Sequence, residues 1–235
     1  MSTSSPNANM PVGYWPTGTV YGTLLNFRDE VEFLVPQMTQ APYKSPPKAP
    51  VLFIKTANTW SASGADVVVP AHIVEIEVGA TIGMTIGPIT LEYSATTATN
   101  SIASLVLMND FSVPHASFFR PPVKFKCLDG FLGIGAQQLM PDKAGDPSLF
   151  KLEVRINGDL RQTVDFSRLV RSAQTLLDDV SEFMTLREGD VLMLGSNCLP
   201  DGQRPLARVG DCVEISAPGL PALGVLTSLL VGEAK

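Results

Sequence analysis

The chain has 235 residues, of which 45% are hydrophobic and 17% are charged, and its formal net charge is −6. This composition is typical of a packed globular domain and excludes a disordered chain, and the acidic balance without a Lys/Arg cluster argues against nucleic acid as a partner. Because no stretch of about eighteen consecutive apolar residues is present, we expect no membrane-spanning segment.

The start of the chain, residues 1–18, is rich in Ser, Asn, Pro and Gly. It lacks the basic beginning and the apolar stretch of a secretory signal, so we expect a cytoplasmic protein with a flexible N-terminal tail over residues 1–18. Residues 19–235 are expected to form one domain.

Short apolar segments separated by turns predict a mainly β fold with a few helices. Asn157-Gly158 lies between FKLEVRI and LRQTV. Both central positions of a tight hairpin turn need positive φ, which Asn and Gly tolerate, so a hairpin is predicted here. The other segments that indicate strands are GTVYGTLLN, VLFIK, IVEIEV, ATIGMTI and ASLVLM.

Two helices are predicted. Apolar residues recur with a period near 3.6 over residues 166–184, which predicts an amphipathic helix whose first turn is capped by Asp165 or Ser167. A second, weaker helix is expected to begin near Asn26 and to continue through the segment FRDEVEFL.

A short pattern occurs twice near the end of the chain. Residues 188–194 (EGDVLML) and 209–215 (VGDCVEI) each place a Gly-Asp turn before an apolar segment. The repetition predicts two strands that belong to one sheet or roll.

Six segments follow one another in a recognisable order between about residues 18 and 230: YKSPPKAPVLFIK, VLMNDFS, FFRPPVKFKCLDGFLGIG, LEVRINGDLRQTVDFSRLV, LREGDVLMLGS and VGDCVEISAPGLPALG. This ordered set resembles the fumarylacetoacetate hydrolase family. Within that family it is most similar to the N-terminal half, or separate first subunit, of the 4-hydroxyphenylacetate-degradation bifunctional isomerase/decarboxylase. The resemblance implies a mixed β-roll, a divalent cation that is usually magnesium, and cleavage, decarboxylation or tautomerisation of oxo acids.

The family holds its metal with Glu-x-Glu on a strand and with the Asp of a later Asn-Asp pair. Asp110 keeps the Asn-Asp position, so the resemblance makes it a candidate metal ligand and catalytic residue. The alternative is a turn aspartate that accepts backbone hydrogen bonds. Counting back from Asp110 through Ile86-Gly87 places Gly79 and Thr81 at the two glutamate positions, which puts the metal in question.

A Glu-x-Glu motif does occur nearby, formed by Glu75 and Glu77. It lies four residues too early, which is about 13 Å along a strand. Glu75 and Glu77 are therefore not expected to be metal ligands, unless a bulge shifts the register.

Two cationic residues match family positions around a substrate. Lys126 corresponds to the active-site lysine, and we expect it to be catalytic and to bind a substrate carboxylate or an enolate oxygen. Arg120 is expected to bind a second carboxylate. The alternative for both is a surface ion pair.

The family also carries a lid with the pattern Asn-Tyr-x-x-His-x-x-Glu, whose His–Glu pair activates water in the hydrolases. Here the matching positions run from Asn26 to Phe33, with Glu30 in place of the His and Phe33 in place of the Glu. Hydrolysis by that route is therefore in question. Glu30 is a candidate base, and the alternative is an ordinary glutamate of an amphipathic helix.

The resemblance implies a small anionic oxo-acid substrate. We expect a subunit of an isomerase/decarboxylase acting on unsaturated oxo or hydroxy di- or tricarboxylates in 4-hydroxyphenylacetate (homoprotocatechuate) catabolism. One alternative is a catalytically degenerate subunit that assembles with a metal-bearing homologue. Another is a hydrolase or decarboxylase of a different oxo acid. The expected assembly is a homodimer or a heteromer with a homologous subunit.

Overall fold

The computed structural model describes residues 13–88, 102–115 and 122–234. The strands are β1 Val20–Leu24, β2 Val51–Lys55, β3 Trp60–Ala62, β4 Asp66–Val69, β5 Ile76–Glu77, β6 Ala80–Ile86, β7 Ile102–Asp110, β8 Leu132–Leu139, β9 Lys151–Ile156, β10 Asp159–Asp165, β11 Val191–Met193, β12 Leu206–Ala207, β13 Cys212–Ser216 and β14 Val225–Gly232. The α-helices are α1 Arg28–Met38, α2 Val123–Lys126, α3 Pro141–Ala144 and α4 Ala173–Ser181. The mainly β fold with a few helices is confirmed. In the three described ranges, no helix is long and apolar enough to cross a membrane.

Two sheets form the body of the domain. The larger has seven strands in the order β2-β1-β11-β6-β7-β8-β3, and the smaller has five in the order β10-β9-β13-β14-β4. Most neighbouring strands are antiparallel, whereas β1 with β11, β3 with β8 and β14 with β4 are parallel. A separate two-stranded sheet pairs β12 with β5. The sheets are therefore mixed, as the resemblance implies.

The main hydrophobic core contains side chains from both large sheets. Ile82 and Met84 of β6 belong to it together with Ile215 of β13. The opposite face of the seven-stranded sheet is also covered, since Met108 of β7 is fully buried in a second cluster that Trp60 packs against. Strands buried on both faces form near-continuous apolar runs, which explains the segments around β6 and β7. The buried strand β7 ends at Asp110, one of the residues predicted from the sequence to belong to a site.

The predicted hairpin is confirmed. Strands β9 and β10 pair antiparallel around Asn157-Gly158. Asn157 has a φ of 54° and Gly158 a φ of 86°, which is the left-handed geometry that the turn requires.

The repeated Gly-Asp pattern forms the same turn twice, but in different sheets. Asp190 accepts a hydrogen bond from the N–H of Arg187 at 2.8 Å, and Asp211 accepts one from the N–H of Arg208 at 2.7 Å. The strands that follow are β11 in the seven-stranded sheet and β13 in the five-stranded sheet. The local chemistry fixes the turn, and the remainder of the chain decides which sheet each strand joins.

The prediction of one continuous helix over residues 166–184 is wrong. A short 3-10 helix covers Phe166–Arg168, and α4 covers only Ala173–Ser181. Between them, the N–H of Val170 donates to the backbone carbonyl of Asn26 at 2.8 Å. This tertiary hydrogen bond replaces one that a helix would make within itself, and it breaks the apolar stripe into two elements.

The predicted helix after Asn26 is confirmed as α1. Asp29 and Glu30 lie in its first turn, where negative charge complements the helix dipole. Phe27, directly before the helix, is fully buried and stacks edge-on against Phe166 with ring centroids 5.5 Å apart. This anchor fixes the position from which α1 extends.

Residues 1–12 of the predicted tail lie outside the described residues. The remaining part contacts the domain: the N–H of Tyr14 donates to the carbonyl of Ala136 at 3.0 Å, and that of Gly18 donates to the carbonyl of Gly189 at 2.9 Å. The ring of Trp15 also packs edge-on against that of Trp60, with the centroids 5.8 Å apart. The domain boundary after residue 18 stays a prediction.

Candidate functional site

The end of β7 carries Asp110 into a buried cluster of opposite charges. The amine of Lys126 in α2 contacts Oδ2 of Asp110, and Nζ of Lys55, at the end of β2, lies 2.8 Å from Oδ1. All three side chains are almost completely shielded from water. Burial alone raises the pKa of Asp110, but the charges of Lys126 and Lys55 outweigh burial and lower the pKa to about 2. Asp110 is therefore ionised at neutral pH.

Lys55 ties three chain segments to this cluster. Its Nζ donates to the backbone carbonyls of Phe111 at 2.8 Å, Lys126 at 2.6 Å and Phe131 at 2.8 Å. Burial lowers the pKa of Lys55 to about 8, although the charge of Asp110 opposes the shift. Because backbone carbonyls use its donors, Lys55 is a positioning residue that holds Asp110 and Lys126 together.

A cavity of about 550 Å³ lies near the cluster. One wall is helix α1, which contributes Glu30 and Phe33, and another is the loop that leads into β12 and contains Arg204. Glu77 of β5 also lines the cavity. Its backbone forms a bridge with Ser112, two residues after Asp110. The cavity and the Asp110 cluster thus belong to one region of the fold.

Arg204 connects the two cavity walls. Its Nη2 donates to Oε1 of Glu30 at 3.1 Å, and its Nη1 lies 3.7 Å from Oε2 of Glu77. The other oxygen of Glu30 accepts the N–H of Leu25 at 2.8 Å. Burial raises the pKa of Glu30, and the charge of Arg204 acts in the opposite direction. Glu30 is therefore a buried carboxylate with a hydrogen bond to each of its two oxygens, and it is not a solvent-facing helix residue.

The two glutamates of the early Glu-x-Glu motif differ in environment. Glu75 is partly exposed, and its Oε2 accepts a hydrogen bond from Nη2 of Arg208 at 3.0 Å. Glu77 is largely buried, and burial raises its pKa while Arg204 and Lys126 oppose the shift. Of the two, Glu77 is the one whose electrostatic surroundings include the charged cluster.

The two cationic residues predicted from the sequence, Lys126 and Arg120, have different outcomes. Lys126, predicted to bind a substrate carboxylate or an enolate oxygen, contacts the carboxylate of Asp110, and its side chain is fully buried over the ring of Phe53, at 4.6 Å from the ring centroid. Its contact is with the carboxylate and not with the wall of the cavity. Arg120, predicted to bind a substrate carboxylate, lies outside the described residues.

Lys55 and Arg204 were not predicted from the sequence. Lys55 shares strand parity with the buried Phe53, so a lysine at an inward-facing strand position was the available signal. Arg204 follows a turn between prolines and belongs to no periodic pattern, so nothing in the sequence marked it.

Comparison with known proteins decides the family. Residues 19–227 match the sequence profile described as Fumarylacetoacetate (FAA) hydrolase C-terminal. The chain belongs to the fumarylacetoacetate hydrolase family. The match covers most of the chain, which agrees with the ordered segments read from the sequence.

Several characterised members of the fumarylacetoacetate hydrolase family are similar in sequence. The 4-hydroxyphenylacetate degradation bifunctional isomerase/decarboxylase of Salmonella dublin is 36% identical over 206 residues, covering 88% of this chain and 46% of that protein. The homoprotocatechuate catabolism bifunctional isomerase/decarboxylase of Escherichia coli is 34% identical over 210 residues, again covering 88% of this chain and 46% of that protein. The chain therefore spans about half the length of these relatives.

Solved structures of the fumarylacetoacetate hydrolase family share the fold. The 5-carboxymethyl-2-hydroxymuconate delta-isomerase of Mycobacterium smegmatis superposes with a TM-score of 0.71 at 24% identity, covering 92% of this chain and 80% of that one. The maleylpyruvate hydrolase of Sphingobium sp. SYK-6, in complex with manganese(II) and pyruvate, gives 0.70 at 20% identity, with shares of 94% and 72%.

A divalent cation is expected in a fumarylacetoacetate hydrolase family site, but the residues around Asp110 do not fit one. Both of its oxygens face ammonium groups. A Cβ added at Gly79 would lie 2.6 Å from the backbone carbonyl oxygen of Asp110 and 3.3 Å from its Cβ, so position 79 lies against Asp110 but offers no side-chain oxygen as a ligand. Thr81 has only a neutral hydroxyl, 3.5 Å from the carbonyl of Ile82. Within the described ranges, no three His, Cys, Asp or Glu residues are grouped as metal ligands.

Proposed function

We propose that the chain is a subunit of an isomerase/decarboxylase that converts unsaturated oxo or hydroxy di- or tricarboxylates in 4-hydroxyphenylacetate catabolism. The observation that carries the proposal is a cavity of small-molecule size with a buried guanidinium, Arg204, in its wall and the Asp110–Lys126 pair nearby. Cavities of about 300–1,000 Å³ with a few convergent polar groups suit small ligands. The 34–36% identity to enzymes of that pathway supports the substrate class.

The chemistry needs stabilisation of negative charge on an enolate. When a vinylogous oxo acid loses CO2, the bonding electrons of the broken C–C bond move into the conjugated oxo group and create the enolate oxygen. The charges of Lys126 and Arg204 supply a fixed positive potential for that oxygen. The carboxylate of Asp110 favours the charged form of Lys126 against burial, which lowers the pKa of that amine.

A turnover assay tests the proposal. The purified chain is offered 5-carboxymethyl-2-hydroxymuconate and, separately, oxaloacetate, and the conversion of each is followed by ultraviolet absorbance and by proton NMR. We expect enol–keto conversion of the muconate faster than the uncatalysed rate. The Lys126→Met variant, with Lys143→Met as an exposed control, is expected to lose this activity. Conversion of oxaloacetate alone would favour the reading that the chain acts on a different oxo acid.

A second candidate is a subunit whose main role is assembly with a metal-bearing homologue. The observation that favours it is the absence of carboxylates at Gly79 and Thr81, together with coverage of only 46% of the bifunctional relatives. On this alternative the chain alone shows no turnover and forms a stable heteromer. Light scattering of the chain, alone and mixed with a metal-bearing homologue, measures the assembly, and a homodimer with its own activity would contradict the alternative.

A further inference from the structure

Glu77 combines a fixed backbone with a carboxylate that has no hydrogen-bond partner in the described part of the chain. Its N–H donates to the carbonyl of Ser112 at 2.7 Å, and its carbonyl accepts the N–H of Ser112 at 3.2 Å. On the other side it pairs with Leu206 in the two-stranded sheet. The closest cation to the carboxylate is Nη1 of Arg204 at 3.7 Å, which is too long for a hydrogen bond. The oxygens can therefore exchange a proton with a bound ligand.

The other carboxylates of the cavity wall already accept hydrogen bonds from the protein. Glu75 is bound by Arg208 at 3.0 Å. Glu30 accepts one hydrogen bond from Arg204 and one from a backbone N–H. Asp201 accepts a backbone N–H at 3.0 Å within its own exposed turn. Glu77 is thus the described cavity carboxylate that accepts no hydrogen bond at either oxygen.

An unused donor on Arg204 points to a ligand in the same place. Arg204 is only 6% exposed, and its Nε has no acceptor among the described residues. A buried donor without a partner costs about 1–3 kcal/mol, so the fold is expected to tolerate it where a ligand supplies the acceptor. An acid group of a small substrate has the right charge and geometry for a guanidinium.

We propose that Glu77 is the catalytic acid–base group that moves a proton between the enol oxygen and the substrate carbon, while Nε–H of Arg204 receives an acid group of the same molecule. This inference rests on the proposed function and names the residue that performs its isomerisation. The carboxylate of Glu77 takes the enol O–H proton, and the O–H electron pair stays on the oxygen as an enolate. As the electrons of the C=C bond take the proton from Glu77 at carbon, the oxygen pair forms the C=O bond, and the carboxylate of Glu77 is restored. No further reactant is needed.

The environment of Glu77 agrees with this role. Burial raises its pKa above the ordinary value, in the direction that favours proton transfer near neutral pH. Its backbone is paired with Ser112 on one side and with Leu206 on the other, so the point from which the side chain extends is fixed relative to the cavity, which favours positioned proton transfer.

The test compares Glu77→Gln with Glu75→Gln, a change of the same kind two residues away. Steady-state kinetics on 5-carboxymethyl-2-hydroxymuconate and thermal melting are measured for the wild type and both variants. For Glu77→Gln we expect kcat to fall by at least about 100-fold with KM changed less than about threefold, because a general acid–base group contributes about 10²–10⁴-fold. Glu75→Gln, which removes a cavity carboxylate already bound by Arg208, is expected to lower kcat at least about tenfold less than Glu77→Gln does. Should Glu77→Gln fail to fold, Glu77→Asp, which withdraws the carboxylate by one methylene, is expected to lower kcat about tenfold or more.

The outcomes separate this inference from the proposed function. Turnover by the wild type and by a folded Glu77→Gln at equal rates overturns the role of Glu77 and leaves the proposed function intact. Equal losses in Glu77→Gln and Glu75→Gln also overturn it, since the effect would then be a general change in cavity charge. Absence of turnover by the wild type overturns both.

Discussion

Replacing Asp110 by Asn tests whether its charge stabilises the fold by compensating the two buried lysines beside it. The carboxylate lies between the amines of Lys55 and Lys126, and all three side chains are buried. The substitution keeps the size of the side chain but removes its charge. Two ammonium groups then remain in a site of low polarity with no counter-charge among the described residues that contact them.

The size of the effect follows from the pKa. The pKa of Asp110 falls from 3.8 to about 2, and each unit corresponds to about 1.4 kcal/mol, which gives about 2 kcal/mol for the charged carboxylate itself. Removing one partner of a buried ion pair costs about 3–5 kcal/mol, because the remaining charge is uncompensated. We therefore expect Asp110→Asn to lower the free energy of unfolding by about 3–5 kcal/mol.

Urea denaturation followed by circular dichroism measures this loss. The matched control is Asp129→Asn, an exposed carboxylate bonded to Asn58 at 2.6 Å, which is expected to cost less than about 1 kcal/mol. The double variant Asp110→Asn/Lys126→Met is expected to lose less than the sum of the two single losses, since both charges of one pair are removed. A loss in Asp110→Asn no larger than that of the control would refute the reasoning.

Three further predictions concern pH, the cavity and the hairpin. The pKa of Asp110 is about 2 in the folded protein and 3.8 ordinarily, so the stabilisation by its charge is complete above pH 3.8 and is lost as the pH falls towards 2. The free energy of unfolding of the wild type should therefore fall by about 2 kcal/mol between pH 5 and pH 2, and Asp110→Asn should lack this fall. Arg204→Met leaves two cavity carboxylates without their guanidinium, so stability at pH 7 should fall by about 3 kcal/mol and recover partly at pH 5, as measured by thermal melting at both pH values. Gly158→Ala should lower the free energy of unfolding in the urea assay by about 1–2 kcal/mol because its φ is 86°. A Cβ at position 158 would meet no atom within 4 Å, so this cost comes from the backbone alone. Gly219→Ala, in equally open space but without positive φ, should change the free energy of unfolding by less than about 0.5 kcal/mol.

The sequence predicted those features that depend on neighbouring residues. The hairpin at Asn157-Gly158 follows from the φ preferences of two adjacent residues, and the structure confirms it. Asp110 and Lys126 were marked by motifs within a few residues of each, and the structure brings their charged groups into contact. In each case the information lies in a segment short enough to read directly.

Features that depend on distant contacts were missed. The helix expected over residues 166–184 is interrupted because Asn26 accepts a backbone hydrogen bond from Val170, 144 positions later in the chain. The role of Arg204 depends on the packing of its loop against α1, which places the guanidinium 3.1 Å from Oε1 of Glu30. No local propensity encodes either contact, since both depend on how the sheets bring the segments together.

Charge balance links the missing carboxylates to the buried cations. The sequence predicts that Gly79 and Thr81 take the positions where the family places two metal-binding glutamates, and neither residue carries a negative charge. The ion-paired groups around Asp110 and Arg204 already balance, with three formal positive charges and three formal negative charges. A divalent cation added here would leave two positive charges uncompensated, and burying unpaired charge costs several kcal/mol per ion. Two glutamates in those positions would create the opposite excess, which a divalent cation offsets. We therefore propose that neutral residues at positions 79 and 81 and an ion-paired Asp110 depend on each other electrostatically. The ion pairs that keep the cluster balanced are those of Lys55, Lys126, Arg204, Glu30, Glu77 and Asp110.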